Sequence, residues 1–466
     1  MSSIRRKYAV LAICCSSLFL VSLDGTIVNV ALPSIARELN STVSTLQWTV
    51  DAYLLVLAAL LLLSGSLADR FGRKRVFAVG LTIFTTGSLL CSLAPTDTWL
   101  IVFRMFQAVG GSAMTPVALA IVTNIFVLPR ERARAIGIWA AVSGVGIAAG
   151  PLIGGVLIDS VGWRSIFWIN VPTGAAAIVL TLLVIRESRA SHPRALDPIG
   201  QLLVVVFLIS LIFAIIEAPR FAVLSPWIIG GGLVAAVSFT ALLRYESRHP
   251  EPLVPLSLFT QRSFAGAFVI AILGFLAFNG LLFVNTLYLQ SVRDLSASLA
   301  GVLTLPLAAA TVIAAPLSGR LLSAVGARRP FLIAGACMAS ASLILIAVTP
   351  TEPVLWLTLP YAIFGVGYGM LNAPVNDTAV SELPDDQAGV AASLISTSKQ
   401  VGSALGVAIT GTIIAASPGD SMVAAFDARA WIVWVIIAAC GLGIVIVARS
   451  WPSRRSPARS SRPARG

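Results

Sequence analysis

Fourteen runs of apolar residues, separated by short loops rich in Gly, Pro, Ser and Arg, divide this chain from end to end. They lie at 9–31, 47–68, 76–94, 99–121, 135–159, 166–185, 199–217, 226–243, 264–290, 298–322, 330–349, 354–377, 389–415 and 431–448. A helix of about 20 apolar residues crosses the hydrocarbon layer of a bilayer, and there each backbone N–H and C=O must be satisfied within its own segment. The pattern therefore predicts an all-α integral membrane protein with fourteen transmembrane helices. Composition agrees: 57% of the 466 residues are hydrophobic and 11% charged, whereas soluble domains carry about 25% charge. A water-soluble globule is excluded.

The few charges are sorted by side. With alternate loops counted, 25 of the 32 Lys and Arg residues fall on the side of the N-terminus and five on the other, while Arg104 and Lys399 fall inside spans. Basic loops stay cytoplasmic, so both termini are expected on the cytoplasmic side of a bacterial inner membrane. SELPDDQAG (381–389) departs, being acidic on the basic side. The net charge of +12 is thus a topology signal with contact to anionic lipid, and nucleic acid is not an expected partner. MSSIRRKYAVLAICCSSLFLVSLDG has the basic-then-apolar form of a signal peptide. Its apolar run continues to about residue 32 without a small-residue cleavage site, which reads as a retained first span. Cys14, Cys15, Cys91, Cys337 and Cys440 all lie in apolar runs, without pair or metal spacing, and read as packing residues.

The chain also repeats itself. LSGSLADRFGRKRV (63–76) aligns without gaps to LSGRLLSAVGARRP (317–330), with Gly72 on Gly326 and Lys74–Arg75 on Arg328–Arg329. AVGGSAMTPV (108–117) is similar to GVGYGMLNAPV (365–375). The offset sets spans 1–6 opposite spans 9–14 as two pseudo-symmetric six-helix bundles, with spans 7 and 8 inserted. Repeats related along the membrane normal are a transporter architecture, with the binding site between them near the midplane. The expected organisation is a cytoplasmic start (1–8), a first bundle (9–185), a linker with the two inserted helices (186–263), a second bundle (264–448) and a disordered basic tail (449–466).

Six stretches, in order and at the right spans, resemble the major facilitator superfamily and its fourteen-span drug:proton antiporter branch. They are LDGTIVNVALP (23–33), QWTVDAYLL (47–55), GSLADRFGRKR (65–75), RMFQAVGGSA (104–113), GVGIAAGPLIGG (144–155) and WRSIFWINVPTG (163–174). The resemblance covers nearly the whole chain. It implies the major facilitator fold and export of a small molecule in exchange for protons by alternating access.

Asp24 and Arg104 carry the chemistry of that expectation. A carboxylate near the middle of a span costs about 2.5–3.5 kcal/mol even on the lenient insertion scale, so such groups pair or face a cavity and are functional candidates. With span 1 ending near residue 32, Asp24 is expected about 12 Å below the outer surface, and Arg104 on span 4 at similar depth. Burial disfavours the ionised acid and a neighbouring guanidinium favours it, so a site that hydrates on one face and dries on the other can take and release a proton. Asp24 is the expected proton carrier, Arg104 its modulator, and Gln107, at i+3 from Arg104, completes the polar face.

The resemblance further implies a cytoplasmic gate at Gly65, Asp69, Arg70, Gly72, Arg73 and Lys74. Asp69 would meet the positive N-terminal end of span 13, with Gly65 and Gly72 permitting close approach and a tight turn. The second copy has Ser323 for Asp69 and Ala327 for Arg73, so this latch is one-sided. In span 5, Gly146, Gly150 and Gly154 recur at i, i+4 and i+8 as a smooth ridge for close helix contact, with a bend at Pro151 and Gly155. The resemblance gives this ridge the role of sealing the antiporter against leak.

Asn29, Asp51, Tyr53, Asn279, Asn285, Asn372, Asn376, Lys399 and Gln400 are candidates for a substrate cavity, with Asp51 near the outer mouth and hydrated. Branch members that export multivalent cations carry extra acids in spans 10 and 13, but span 10 has none here and span 13 has Lys399. That favours a neutral, monocationic or weakly anionic amphiphile, such as an antibiotic or secondary metabolite. Solute import and lipid or metabolite flipping remain open on the same scaffold. His192 and His249 lie in loops, and there is neither a metal-spaced cluster nor a nucleotide-binding Gly loop. The expected protein is therefore not an enzyme, carries no metal or cofactor, and works as a monomer on protons, lipid and a small-molecule substrate.

Overall fold

The computed structural model describes residues 3–189, 197–221, 224–249, 252–347, 352–381, 383, 385–415 and 422–451. The basic tail beyond 451, His192 and part of the acidic 381–389 loop lie outside the described residues. The first bundle comprises α1 (Ser3–Leu39), α2 (Val43–Phe71), α3 (Arg73–Ser92), α4 (Asp97–Ile125), α5 (Pro129–Val161) and α6 (Ser165–Val184). The inserted pair is α7 (Pro198–Ile216) and α8 (Pro226–Glu246). The second bundle comprises α9 (Arg262–Val292), α10 (Ala297–Val325), α11 (Arg328–Ala347), α12 (Val354–Val380), α13 (Asp385–Ile414) and α14 (Met422–Arg449). Thirteen of these are long and apolar enough to span a bilayer among the described residues, and α13 is the fourteenth long helix.

Packing repeats between the halves. In the first bundle α1 packs on α5, α2 on α4, and α3 on α4 and α6; in the second α9 packs on α13, α10 on α12, and α11 on α12 and α14. Across the seam the pairs exchange, α2 against α13 and α5 against α10, with α1 meeting its own counterpart α9. That exchange is what a two-fold relation between bundles requires. The aligned turns match too: Gly72 and Gly326 each close a helix with positive φ, +111° and +80°. At both, a side chain would crowd the backbone.

Prolines inside these helices orphan the carbonyl four residues earlier, and in a membrane that carbonyl needs another donor. Thr26 Oγ1 on α1 lies 3.3 Å from the Ile147 carbonyl that Pro151 frees, and Ser318 Oγ on α10 donates at 2.9 Å to the Met370 carbonyl that Pro374 frees. The bends are thus tied to neighbouring helices.

The inserted pair fastens the seam from the side. Gln201 on α7 donates to the Ala59 carbonyl of α2, and Glu217 beyond its end accepts from Ser44 Oγ at 3.1 Å and Trp48 Nε1 at 2.9 Å. From the other bundle, Thr412 Oγ1 on α13 donates at 3.0 Å to the Ile215 carbonyl. One inserted helix therefore holds both halves.

Candidate functional site

Five helices bring their polar groups to one point inside the first bundle. Asp24 (α1) and Gln107 (α4) are 0% exposed and Arg104 (α4) 1%. Arg104 Nη1 donates to Asp24 Oδ2 at 2.5 Å and to Gln107 Oε1 at 2.7 Å. Asp24 Oδ1 accepts from Gln107 Nε2 at 2.9 Å and from Asn170 Nδ2 (α6) at 3.0 Å. Ser88 Oγ (α3) accepts from the same two amides at 2.6 and 3.1 Å. From α2, the Thr49 carbonyl accepts from Arg104 Nε at 3.4 Å, and the Tyr53 ring lies 4.0 Å beneath the guanidinium.

The local reasons are simple. Arg104 and Gln107 share a helix face by their i, i+3 spacing. Asn170 sits just past a break at Ile169, which aims its amide inward. The two carboxyl oxygens are met by one guanidinium and two amide donors, a closed shell of partners. A proton added to Asp24 would cancel one charge of a desolvated pair and leave the other uncompensated.

Some expectations need correcting. α1 continues to Leu39 rather than ending near residue 32. Tyr53 is buried with its ring against Arg104. Asp51 is not at an open mouth: it is 0% exposed, and neither carboxyl oxygen has a hydrogen-bond partner among the described residues. Asn170 and Ser88 were not singled out in the sequence. Asn170 had a signal, as an amide within the apolar WRSIFWINVPTG stretch; Ser88 had none.

The gate residues cluster, but on their own bundle. Asp69 accepts from Arg73 at 2.9 Å, and no partner on α13 is described for it. Glu187, beyond α6, accepts from the backbone N–H of Lys74 at 3.0 Å and of Arg75 at 3.3 Å, an acid on the N-terminus of α3. Lys74 Nζ reaches the Leu182 carbonyl at 2.7 Å. Arg70 is exposed, its guanidinium 5.9 Å from the Phe71 ring. Gly72 disfavours a side chain because its φ is +111°, and a methyl there would also lie 2.5 Å from the Glu187 carboxyl, whereas Gly65 faces open space and makes no close approach.

The α5 ridge splits between two neighbours. Gly146, Gly150 and Gly154 press on Ser22, Thr26 and Ile27 of α1, within the bundle. Gly155 and Pro151 face the other half, against Ala297 and Gly301 of α10.

That contact is part of a seam closed at the far face, the one opposite the chain's ends. There Gln47 Nε2 donates to the Ala408 carbonyl at 2.7 Å, and Gln290 Nε2 to the Val30 carbonyl at 2.9 Å. Asp159 at the end of α5 accepts from the N–H groups of Ala297 and Ser298 at 3.2 and 2.8 Å, capping α10. Below these contacts lie two small crevices between the bundles. One, of about 10 Å³, includes Asn29, Asn285 and Thr304; the other, of about 20 Å³, includes Phe278, Thr304 and Thr311. A drug-sized pocket has about 300–1,000 Å³.

The other cavity candidates are scattered over the second bundle. Asn279 donates to Ser403 Oγ at 2.8 Å, and Asn285 accepts from Tyr361. Lys399 donates to Asn372 at 3.2 Å and Asn376 at 2.9 Å, nearer the termini face, where Asn376 is exposed. Gln400 is half-buried.

The family model described as Major Facilitator Superfamily matches residues 14–407. The chain belongs to the major facilitator superfamily. It is 37% identical over 399 residues to "Multidrug resistance protein Stp" of Mycobacterium tuberculosis, covering 86% of this chain and 74% of that one. It is 36% identical to "Tetracenomycin C resistance and export protein" of Streptomyces glaucescens (86% and 74% covered) and 36% identical to "Puromycin resistance protein pur8" of Streptomyces alboniger (88% and 82%). Among solved structures, an auto-inhibited POT family peptide transporter superposes with TM-score 0.69 at 17% identity, covering 97% of this chain and 99% of that one. A bacterial homologue of the human lysosomal transporter Spinster, inward-facing and unoccupied, superposes with TM-score 0.63 at 20% identity, covering 95% and 96%. As a member of this superfamily the chain is a multi-pass membrane transporter with a small-molecule substrate.

Proposed function

We propose that this transporter exports small amphiphilic compounds, antibiotics or related secondary metabolites, across a bacterial inner membrane in exchange for protons. Both termini are then cytoplasmic, as the excess of basic residues on their side requires, and the closed far face is the outer one. The observation that carries the coupling is the buried Asp24–Arg104 pair with its amide shell from Gln107 and Asn170. The direction of export and the class of compound rest on the resistance and export relatives.

In this reading the conformation described is open toward the termini, with Asp24 ionised. In the other orientation of the bundles Asp24 parts from Arg104 and takes a proton from the outer side, and it releases that proton to the cytoplasm as the bundles return and the Asp24–Arg104 pair re-forms. Substrate crosses between the bundles along the faces now reduced to the Asn29, Asn285 and Thr311 crevices. The Gly146–Gly154 ridge keeps α1 and α5 in contact and so limits leak. Asp69 leaves Arg73 for the N-terminus of α13 when the cytoplasmic face closes. A pH dye enclosed in proteoliposomes tests the proposal. Adding a transported compound from a panel of neutral, monocationic and anionic amphiphiles should move protons against it, and no proton movement with any transported compound would refute antiport.

A further inference from the structure

Two cations lie inside the spans, and the fold treats them differently. Arg104 on α4 has its acid, Asp24 at 2.5 Å. Lys399 on α13 has none: among the described residues no carboxylate lies within ion-pair distance of it. Its Nζ donates instead to two neutral oxygens of α12, Asn372 Oδ1 at 3.2 Å and Asn376 Oδ1 at 2.9 Å. An ammonium has three donors and no acceptor, so one N–H is left over and the charge is not neutralised. Lys399 and Asn372 are half-buried and Asn376 is exposed, so the charge stands at an opening toward the termini face. Beside it runs an aromatic wall. The Phe275 ring of α9 is 5.6 Å from Nζ and 5.5 Å from the Tyr368 ring of α12, which stacks on Phe278 of α9 at 3.8 Å. Phe278 in turn lines the larger crevice between the bundles.

An ionisable group inside a span pairs with another or faces a pathway, because an unpaired charge in a dry site is costly. From this we infer that Lys399, with Asn372 and Asn376, forms a subsite for a carboxylate on the exported compound, whose aromatic or apolar body lies along Phe275, Tyr368 and Phe278. The inference rests on the export reading above and narrows its substrate to anionic amphiphiles. A carboxylate brings what the two amides lack, a full negative charge with lone pairs for the remaining N–H. It would also meet the exposed amide group of Asn376. The same ammonium repels a cationic compound at this point, so the subsite selects by repulsion as well as by attraction. The aromatic wall continues from the ammonium to the crevice at the seam, so a compound with its charge at one end reaches both.

The test is equilibrium binding to the purified full-length protein at neutral pH, without a gradient, by scintillation proximity. The probes are two labelled aryl carboxylates, naphthalene-2-carboxylate and 1-pyrenebutyrate, each beside its uncharged primary amide. The native protein should bind at least one carboxylate more tightly than its amide by at least about tenfold, the ratio one charge-assisted hydrogen bond supplies. Lys399→Met should bring carboxylate and amide to equal affinity, and Lys399→Arg should keep the preference. Asn376→Asp, an exposed position, sets an acid on the ammonium and should abolish the preference with Lys399 in place. The inference is overturned if the native protein binds neither carboxylate or shows no preference, or if Lys399→Met or Asn376→Asp retains it. Loss of the preference in excess dihexanoylphosphatidylglycerol would assign the cradle to a lipid phosphate and also overturn it. Binding here needs no proton movement. A native protein with the carboxylate preference but no proton exchange would sink antiport alone, and antiport without the preference would sink this inference alone.

Discussion

Asp24→Asn and Arg104→Met, singly and together, form a cycle that asks whether the buried pair is one energetic unit. Asp24→Asn leaves the guanidinium with two neutral acceptors, Gln107 Oε1 at 2.7 Å and the Thr49 carbonyl at 3.4 Å. Arg104→Met leaves the carboxylate with the Gln107 and Asn170 amides at 2.9 and 3.0 Å. Breaking a buried pair by removing one partner costs about 3–5 kcal/mol. The amides place Arg104→Met toward the lower figure and Asp24→Asn toward the higher. The double variant removes both charges and fills the space with a thioether chain, and such replacements are often neutral. It should therefore be more stable than either single variant, with an interaction energy of at least about 2 kcal/mol. Unfolding by SDS titration in mixed micelles measures all four proteins. Additivity within about 0.5 kcal/mol would refute the claim that the pair acts as a unit.

Three other expectations follow from packing. Gly72→Ala forces a side chain into φ +111° and against the Glu187 carboxyl, and should destabilise by at least about 1–2 kcal/mol; Glu187→Gln, which keeps an acceptor for the α3 N–H groups, should cost less in the same unfolding assay. Thr26→Val removes the hydroxyl shared between the Leu23 carbonyl at 3.2 Å and the Ile147 carbonyl at 3.3 Å and should cost about 0.5–1.5 kcal/mol, whereas Thr26→Ser should be nearly silent. Gly301→Val would drive a side chain into the Pro151 carbonyl across the seam, so spin labels on cysteines at both Thr98 and Glu352 should report a wider far face by double electron–electron resonance, with stability of each bundle retained.

The spans, the repeat and the insert were legible because membrane helices announce themselves by length and apolarity, and because residues 63–76 and 317–330 share a turn that needs glycine. Asp24, Arg104 and Gln107 stood out as polar groups where lipid forbids them, and the structure brings them together. The end of α1 was set too early because the helix runs on to Leu39, where the sequence is no longer purely apolar. Asn170 and Ser88 stayed hidden because an amide or hydroxyl in a span is usually a local hydrogen bonder, and no one-dimensional spacing relates α1, α3 and α6. The seam was equally illegible. Asp159 capping α10, Glu217 fastening α7 to α2, and Asp51 shut between helices all depend on which faces meet in three dimensions.

Proton-driven uphill export by Asp24→Asn protein, reconstituted beside the native protein, tests the central claim most directly. With an imposed pH gradient the native protein should concentrate a transported compound against its own gradient. The variant should lose that accumulation while still exchanging labelled for unlabelled compound at equal pH. Undiminished uphill export by correctly inserted Asp24→Asn protein would contradict the account.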